Sequence, residues 1–246
     1  MKNTAIIIPT RLGAKRFPNK PLAKINNIPM IIHVLNRARE SKVGEVFVAT
    51  PDNEIVNVVE ENGGLAILTN SDHQSGSDRI FEVYSKKLKD KVDLIINLQG
   101  DMPNINPKSI SKLESLMKKN KCDIGTLGSN IEKKEEISDP NVVKVCLEKI
   151  LQENDFLDAK DFFRTNNNVR NEKIYHHCGI YSFTKDALEK YVKLPRSKLE
   201  IERNLEQMRA MESNMQIKVG LSNYKPLSVD TEEDLKNIEK EMKNNE

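Results

Sequence analysis

Ala5-Ile6-Ile7-Ile8-Pro9-Thr10-Arg11-Leu12-Gly13-Ala14-Lys15-Arg16-Phe17-Pro18-Asn19-Lys20-Pro21-Leu22 joins a short apolar run to a loop that carries four cations. The run reads as a buried strand, and Pro9 and Gly13 mark where it gives way to loop. Ligands of open α/β sheets bind at the carboxyl ends of the strands, where Arg11, Lys15, Arg16 and Lys20 stand. Backbone N–H groups near Gly13 can line an anion, and guanidinium groups can grip phosphate oxygens in pairs. A triphosphate needs that density of donors. Four cations in a loop also read as ordinary surface charge; their place after a buried strand, framed by Pro9, Pro18 and Pro21, sets the phosphate reading level with that one. The loop is neither a Walker A sequence nor a G-x-G-x-x-G fingerprint, which points away from P-loop ATPases and dinucleotide enzymes.

The same alternation extends outward. Glu45–Ala49, Leu65–Leu68 and Val92–Leu98 read as further strands. Met30–Ser41, Glu54–Asn62 and Ser77–Leu88 read as helices between them, the first with Ile31, Val34, Leu35 and Ala38 on one face. Strand–helix–strand repetition at this pitch means βαβ units and a mostly parallel sheet. Asn106-Pro107 opens a helix to about Asn120, with Pro at the first helical position. Cys122–Gly128, Asn141–Leu147, Gly179–Phe183 and Ile217–Leu221 read as strands, Ile131–Asp139 as a charged connection and Leu151–Asn171 as loop. Ser197-Lys198-Leu199-Glu200 has capping-box spacing and opens a helix expected to reach about Glu212, with Ile201, Leu205 and Met208 as its buried stripe. Thr231 caps a terminal helix whose first turn is acidic, as the helix dipole favours. The expected fold is α/β: a nucleotide-binding core over 1–130, a looser substrate and dimer part over 131–221, and a return to the core over 222–246.

Composition narrows the function classes. Among 246 residues, 39 basic and 37 acidic side chains leave a net charge of +2, which argues against a nucleic-acid binder. Three scattered cysteines form neither a disulfide framework nor a metal-type spacing, so a reduced, cytoplasmic setting is expected. The apolar run before Pro9 is too short for a signal-peptide core, and no run approaches membrane-spanning length.

Further motifs add chemistry. In Asp72-His73-Gln74-Ser75-Gly76-Ser77-Asp78-Arg79, Ser75 or Ser77 can cap the next helix and Gly76 lets backbone approach a ligand. Arg79 in a first helical turn is poorly placed against the dipole unless an anion is near; otherwise it would face solvent. Gln99-Gly100-Asp101-Met102-Pro103 closes the strongest strand, and a carboxylate there can ligate Mg²⁺, which takes only one or two from a protein. His176-His177-Cys178-Gly179-Ile180-Tyr181 alternates, so His177 and Tyr181 share a face and His176 takes the other. Leu205-Glu206-Gln207-Met208-Arg209 lies on the expected capped helix, and Asp230 just precedes the terminal one.

Together these strings resemble the 3-deoxy-manno-octulosonate (KDO) cytidylyltransferases, the CMP-KDO synthetases, over residues 4–240. The first loop resembles I-P-A-R-x-x-S-x-R-x-P-x-K-P-L, with Thr10 for Ala and Ala14 for Ser; sialic-acid-activating enzymes share that signature. The others resemble D-H-x-S-G-T-[DE]-R, Q-G-D-x-P, H-x-G-I-Y, L-E-Q-L-R and V-D-T-x-E-D-L. Met102 and Arg203 each stand where the family commonly has Glu. Asp161-Phe162-Phe163-Arg164 retains the Arg of Y-F-S-R-x-x-I-P, while its Ser and Pro are gone.

The resemblance implies a single cytidylyltransferase domain of Rossmann-like nucleotide-diphospho-sugar transferase fold, its mixed, mostly parallel sheet flanked by helices. It implies transfer of CMP from CTP to an acidic eight-carbon sugar in a homodimer, for lipopolysaccharide synthesis. Pro9, Thr10, Arg11, Lys20, Ser75, Gly76 and Gln99 would bind nucleotide, and Arg79, Gln99, His177, Tyr181, Glu206 and Gln207 the sugar. Lys20, Asp101 and Asp230 would serve catalysis, the two aspartates through Mg²⁺. An amino analogue of KDO, a sialic acid, or a degenerate nucleotide-binding protein are the alternatives.

Overall fold

β1 (Thr4–Pro9) is buried along its whole length, as its apolar run requires, and it organises the first of two compact units. The computed structural model describes residues 3–13, 17–165, 173–225 and 227–244. The first unit spans Met1–Ser111 and Pro226–Glu246, the second Lys112–Lys225.

In the first unit β1 is followed by a 3₁₀ turn (Lys20–Leu22) and a two-residue hairpin, β2 (Lys24–Ile25) and β3 (Ile28–Pro29). The hairpin turns through Asn26 and Asn27, with φ of 49° and 66°, the pair of left-handed residues that a tight hairpin demands. Then come α1 (Met30–Glu40), β4 (Glu45–Thr50), α2 (Asn53–Glu61), β5 (Leu65–Leu68), α3 (Gly76–Val83), β6 (Leu94–Leu98) and the first turn of α4 (Pro107–Lys119), whose residues from Lys112 onward belong to the second unit. The strands order β5-β4-β1-β6 and every pairing is parallel. That is the expected βαβ arrangement, and it sets the carboxyl ends of β1, β4 and β6 along one edge. α1 buries Met30, Ile31, Val34, Leu35 and Ala38. α3 starts in a full capping box, Ser75 with Asp78, and continues as a π turn over Tyr84–Leu88.

The C-terminal helix Glu232–Asn244 also belongs to this unit, held by Ile25, Met30, Val229, Ile238 and Met242, with Phe17, Leu227 and Leu235 packed alongside.

The second unit mixes strand directions. After β7 (Ile124–Ser129) and the single turn α5 (Glu135–Ser138) come β8 (Lys144–Leu147), β9 (Phe156–Phe163) and β10 (Lys173–Thr184). α6 (Lys185–Tyr191), α7 (Lys198–Arg203), α8 (Met208–Glu212) and β11 (Ile217–Leu221) follow. β7 and β11 pair parallel; β10–β7, β11–β9, β8–β9 and β10–β8 are antiparallel, so the pairings close into a ring.

Three expectations are corrected in this unit. Leu151–Asn171 was expected as loop, yet it contains β9: charged Asp158 and Lys160 alternate outward and dilute the apolar signal, while Phe156 and Phe162 are buried. Residues 166–172 lie outside the described residues. The helix expected from Ser197 to Glu212 is two helices, because Asn204 takes φ 51° and stops α7. Ile201 is consequently 59% exposed rather than part of a buried stripe. β10 begins at Lys173, well before Gly179, and carries a register shift between Cys178 and Tyr181. No helix among the described residues is long and apolar enough to cross a membrane.

Candidate active site

The carboxyl end of β1 is the floor of a cavity of about 140 Å³ in the first unit. Pro9, Thr10, Arg11, Ser75, Gly76, Arg79 and Gln99 line it, as do His73 and Gln74. Thr10 N–H donates to Ala49 O at 2.9 Å and Leu12 N–H to Asp52 Oδ2 at 2.8 Å, which pins the start of the loop to the end of β4. Two glycines bring the other loops close. A Cβ on Gly76 would sit 3.3 Å from Pro9 Cγ, and one on Gly100 would sit 3.2 Å from Pro9 O. A side chain at either position would press tightly on the β1 loop, which would have to give by a few tenths of an ångström. Ala14, Lys15 and Arg16 lie outside the described residues.

Arg79 does not face solvent: it is 3% exposed. Its Nη1 donates to Thr69 Oγ1 and to Asn70 O at 3.0 Å. Burial lowers the guanidinium pKa and the charge of Arg11 lowers it further, with Asp52 and Glu82 acting the other way. A buried cation held by a hydroxyl and a carbonyl beside a cavity is suited to an anionic or strongly polar ligand. Glu82 anchors the neighbouring segment. It accepts from Asn70 N–H at 2.9 Å, from His73 Nε2 and from Lys86 Nζ. Burial works against its charge, but these three donors prevail and hold it at about 2.

Lys20, Asp101 and Asp230 come together although they are far apart in sequence. Lys20 Nζ donates to Asp101 Oδ2 at 3.0 Å and to Val229 O at 2.7 Å, and lies 3.7 Å from Asp230 Oδ1. Val229 N–H in turn donates to Asp101 O at 3.0 Å. Asp234 Oδ2 accepts the N–H groups of Asp230 and Thr231, fixing the backbone that carries Asp230. Among the described residues no group of three or more His, Cys, Asp or Glu could hold a metal ion. Two carboxylates at one point do fit Mg²⁺, which completes its shell with water and phosphate oxygen.

In the second unit His177, Tyr181 and Glu206 lie along one row. The His177 and Tyr181 rings are 5.3 Å apart, so they share a face as alternation predicted. The row continues through Phe183 to Tyr191, whose hydroxyl donates to Glu206 O at 2.8 Å. His177 is buried and desolvation takes it down to about 3, so it is neutral. The Thr126 hydroxyl lies 2.8 Å from Ile180 O and donates to it, which leaves its lone pairs to accept from His177 Nε2 at 2.9 Å. Desolvation, then the Glu206 charge, raises the Tyr181 hydroxyl well above its ordinary range. Gln207 is buried ahead of α8. Glu200 holds this helix pair: it completes the Ser197 capping box and takes both Nε and Nη2 of Arg209.

A family model for cytidylyltransferases matches residues 5–217. The 3-deoxy-manno-octulosonate cytidylyltransferase of Brucella canis is 44% identical over 233 residues, covering 94% of this chain and 92% of that protein. That of Bartonella tribocorum is 42% identical over 236 residues, covering 96% of both. The chain belongs to the 3-deoxy-manno-octulosonate cytidylyltransferase family. A solved CMP:2-keto-3-deoxy-manno-octonic acid synthetase complexed with CTP is similar with a TM-score of 0.87 and 34% identity, over 99% of both chains. A 4-diphosphocytidyl-2C-methyl-D-erythritol synthase from Anaerococcus prevotii, at 14% identity and a TM-score of 0.64, shares the fold.

Two of the chain's departures from the cytidylyltransferase pattern meet each other. Arg203 Nη1 donates to Asp161 Oδ1 and to Phe162 O at 2.8 Å, so the reversed charge has an acid in the divergent segment. Met102 is 1% exposed and serves as core. Arg164 donates to the carbonyls of Pro140 and Asn141. Asp52, His73 and Glu82 were not singled out in the sequence. His73 stands inside a quoted motif, and Asp52 follows a strand end, the position that marked Arg11 and Asp101.

Proposed function

We propose that this protein transfers CMP from CTP to KDO, releasing pyrophosphate. The observation that carries it is the convergence of Lys20, Asp101 and Asp230 beside the β1 loop, in a chain of the KDO cytidylyltransferase family. Arg11 and Lys20 grip the triphosphate through charge-assisted bonds. Arg79 and Gln99 bring a buried charge and an amide to the cavity. His177, a neutral ring whose N–H is held by Thr126 and whose other nitrogen can only accept, meets the sugar's hydroxyl groups with Tyr181, Glu206 and Gln207. The anomeric hydroxyl attacks the α-phosphorus in line, the bond to the pyrophosphate oxygen breaks, and no enzyme-bound intermediate forms. Positioning and charge stabilisation carry the rate.

Asp101 and Asp230 would hold Mg²⁺, which when bound supplies positive charge at the phosphate and acidifies the attacking hydroxyl. The protein acts in the cytoplasm as a homodimer, supplying an activated sugar for lipopolysaccharide synthesis. Retention of the three charged residues speaks against a degenerate nucleotide binder.

The test is pyrophosphate release with KDO, 8-amino-KDO and sialic acid, each with CTP and UTP. KDO with CTP should be the best pair. A site built on sugar hydroxyls rejects analogues that leave its polar groups unpaired. Turnover with sialic acid or the amino sugar but not KDO would overturn the sugar, and CTP binding without any turnover would establish the degenerate alternative.

A further inference from the structure

Lys20 occupies the very groups that a divalent cation would need. Its Nζ bonds Asp101 Oδ2 and Val229 O and sits within ion-pair reach of Asp230, with its side chain only 14% exposed. Its backbone is fixed independently, by Lys20 N–H on Phe17 O and Ala23 N–H on Lys20 O. The side chain can therefore change partners without the turn moving. We propose that Lys20 is a placeholder cation: its ammonium pairs with Asp101 and Asp230 until metal and nucleotide arrive together, and then transfers to the nucleotide's phosphates.

The proposal rests on the assignment of Asp101 and Asp230 as the Mg²⁺ ligands. A metal ion entering alone must displace the ammonium from Asp101 and bear its repulsion at close range, while Lys20 would keep only the Val229 carbonyl. Nucleotide changes this balance, because its phosphates offer Lys20 new anionic acceptors. Metal and nucleotide thereby help each other to bind, and the coupling is reciprocal. Without nucleotide the aspartates hold their own lysine, so the site does not fill with metal between turnovers.

Mn²⁺ serves as the probe, since oxygen ligands suit it as they suit Mg²⁺ and the free ion is read by electron paramagnetic resonance. Nucleotide-free protein is titrated as wild type, Lys20→Met, Lys20→Gln and the double variant Lys20→Met/Asp101→Asn. Both single variants should bind Mn²⁺ about tenfold tighter than wild type, the effect of one competing charge-assisted contact removed. The double variant should lose that gain. Melting of the same samples guards against poor folding: Mn²⁺ should raise the Tm of Lys20→Met more than that of wild type. Mn²⁺ binding by both single variants that is equal to or weaker than wild type overturns the proposal. Wild type and Asp101→Asn, titrated with CTP present, then separate the two failures. Weaker Mn²⁺ binding in Asp101→Asn leaves the metal assignment standing; no difference removes that assignment as well.

Discussion

At the scale of single residues, His177 gives the clearest pH signature. Burial holds its ring neutral, with a pKa of about 3. An unfolded chain takes up that proton below about 6.5, and the folded chain does not. Stability from this group is therefore complete above about 6.5 and falls as the pH drops towards 3, by about 2 kcal/mol between pH 6.5 and 5. Urea unfolding at pH 7 and pH 5 should show a steeper loss for wild type than for His177→Gln; equal losses would remove His177 from the acid response. Glu82 acts lower on the scale. Its folded pKa is depressed to about 2, so its contribution is present above about 4.5 and disappears as the pH falls through 2. Lys20→Ala should weaken CTP binding by roughly 2–3 kcal/mol, the worth of a hydrogen bond to a charged group, and calorimetry with unchanged affinity would remove Lys20 from the triphosphate site. Lys20, Asp101 and Asp230 were legible because each stands at a strand or helix end in a recognisable string. Asp52 and Glu82 were not, because what they do depends on backbone N–H groups of Leu12 and Asn70 that only folding brings to them.

Among the elements, the break between α7 and α8 turns on Asn204. Its left-handed backbone suits Asn and Gly and strains a β-branched residue. Asn204→Val should cost about 1–2 kcal/mol in denaturant unfolding, and Asn204→Gly should be close to neutral. Equal midpoints for both variants would show that the break tolerates any side chain. Helices α1 to α4 were legible from the apolar stripe that each hides, with a serine cap marking the start of α3 and Pro107 that of α4. The α7–α8 break was not, because a capping box fixes where a helix starts and says nothing of where it stops. β9 was hidden for a related reason: Asp158 and Lys160 bond Lys218, Gln216 and Glu148 across neighbouring strands, so a charged surface replaced the apolar alternation that marks a strand. The Asn26-Asn27 turn between two isoleucines carried a signal that could have placed the β2–β3 hairpin.

For the molecule as a whole, the parallel order of the first unit was readable from strand and helix spacing, whereas the ring of pairings in the second needs contacts that no local pattern encodes. The seal between the C-terminal helix and the β2–β3 hairpin decides where Asp230 stands. Ile238→Ala, 1% exposed at that seal, should cost roughly 2–5 kcal/mol and weaken CTP binding with it. Destabilisation with CTP affinity intact would uncouple the helix from the site. The same seal sets a timetable for biosynthesis. Lys20 and its acceptor Val229 are 209 positions apart, so when translation has made most of the chain the lysine has Asp101 but still lacks its carbonyl acceptor. At roughly 5–20 residues per second, the first unit spends several seconds on the ribosome as an open edge, its loop in place but Asp230 not yet synthesised. A transcript truncated near residue 225 would thus yield a chain that has all of its strands but only the Lys20–Asp101 half of its clamp, a burden on chaperones rather than a slower enzyme.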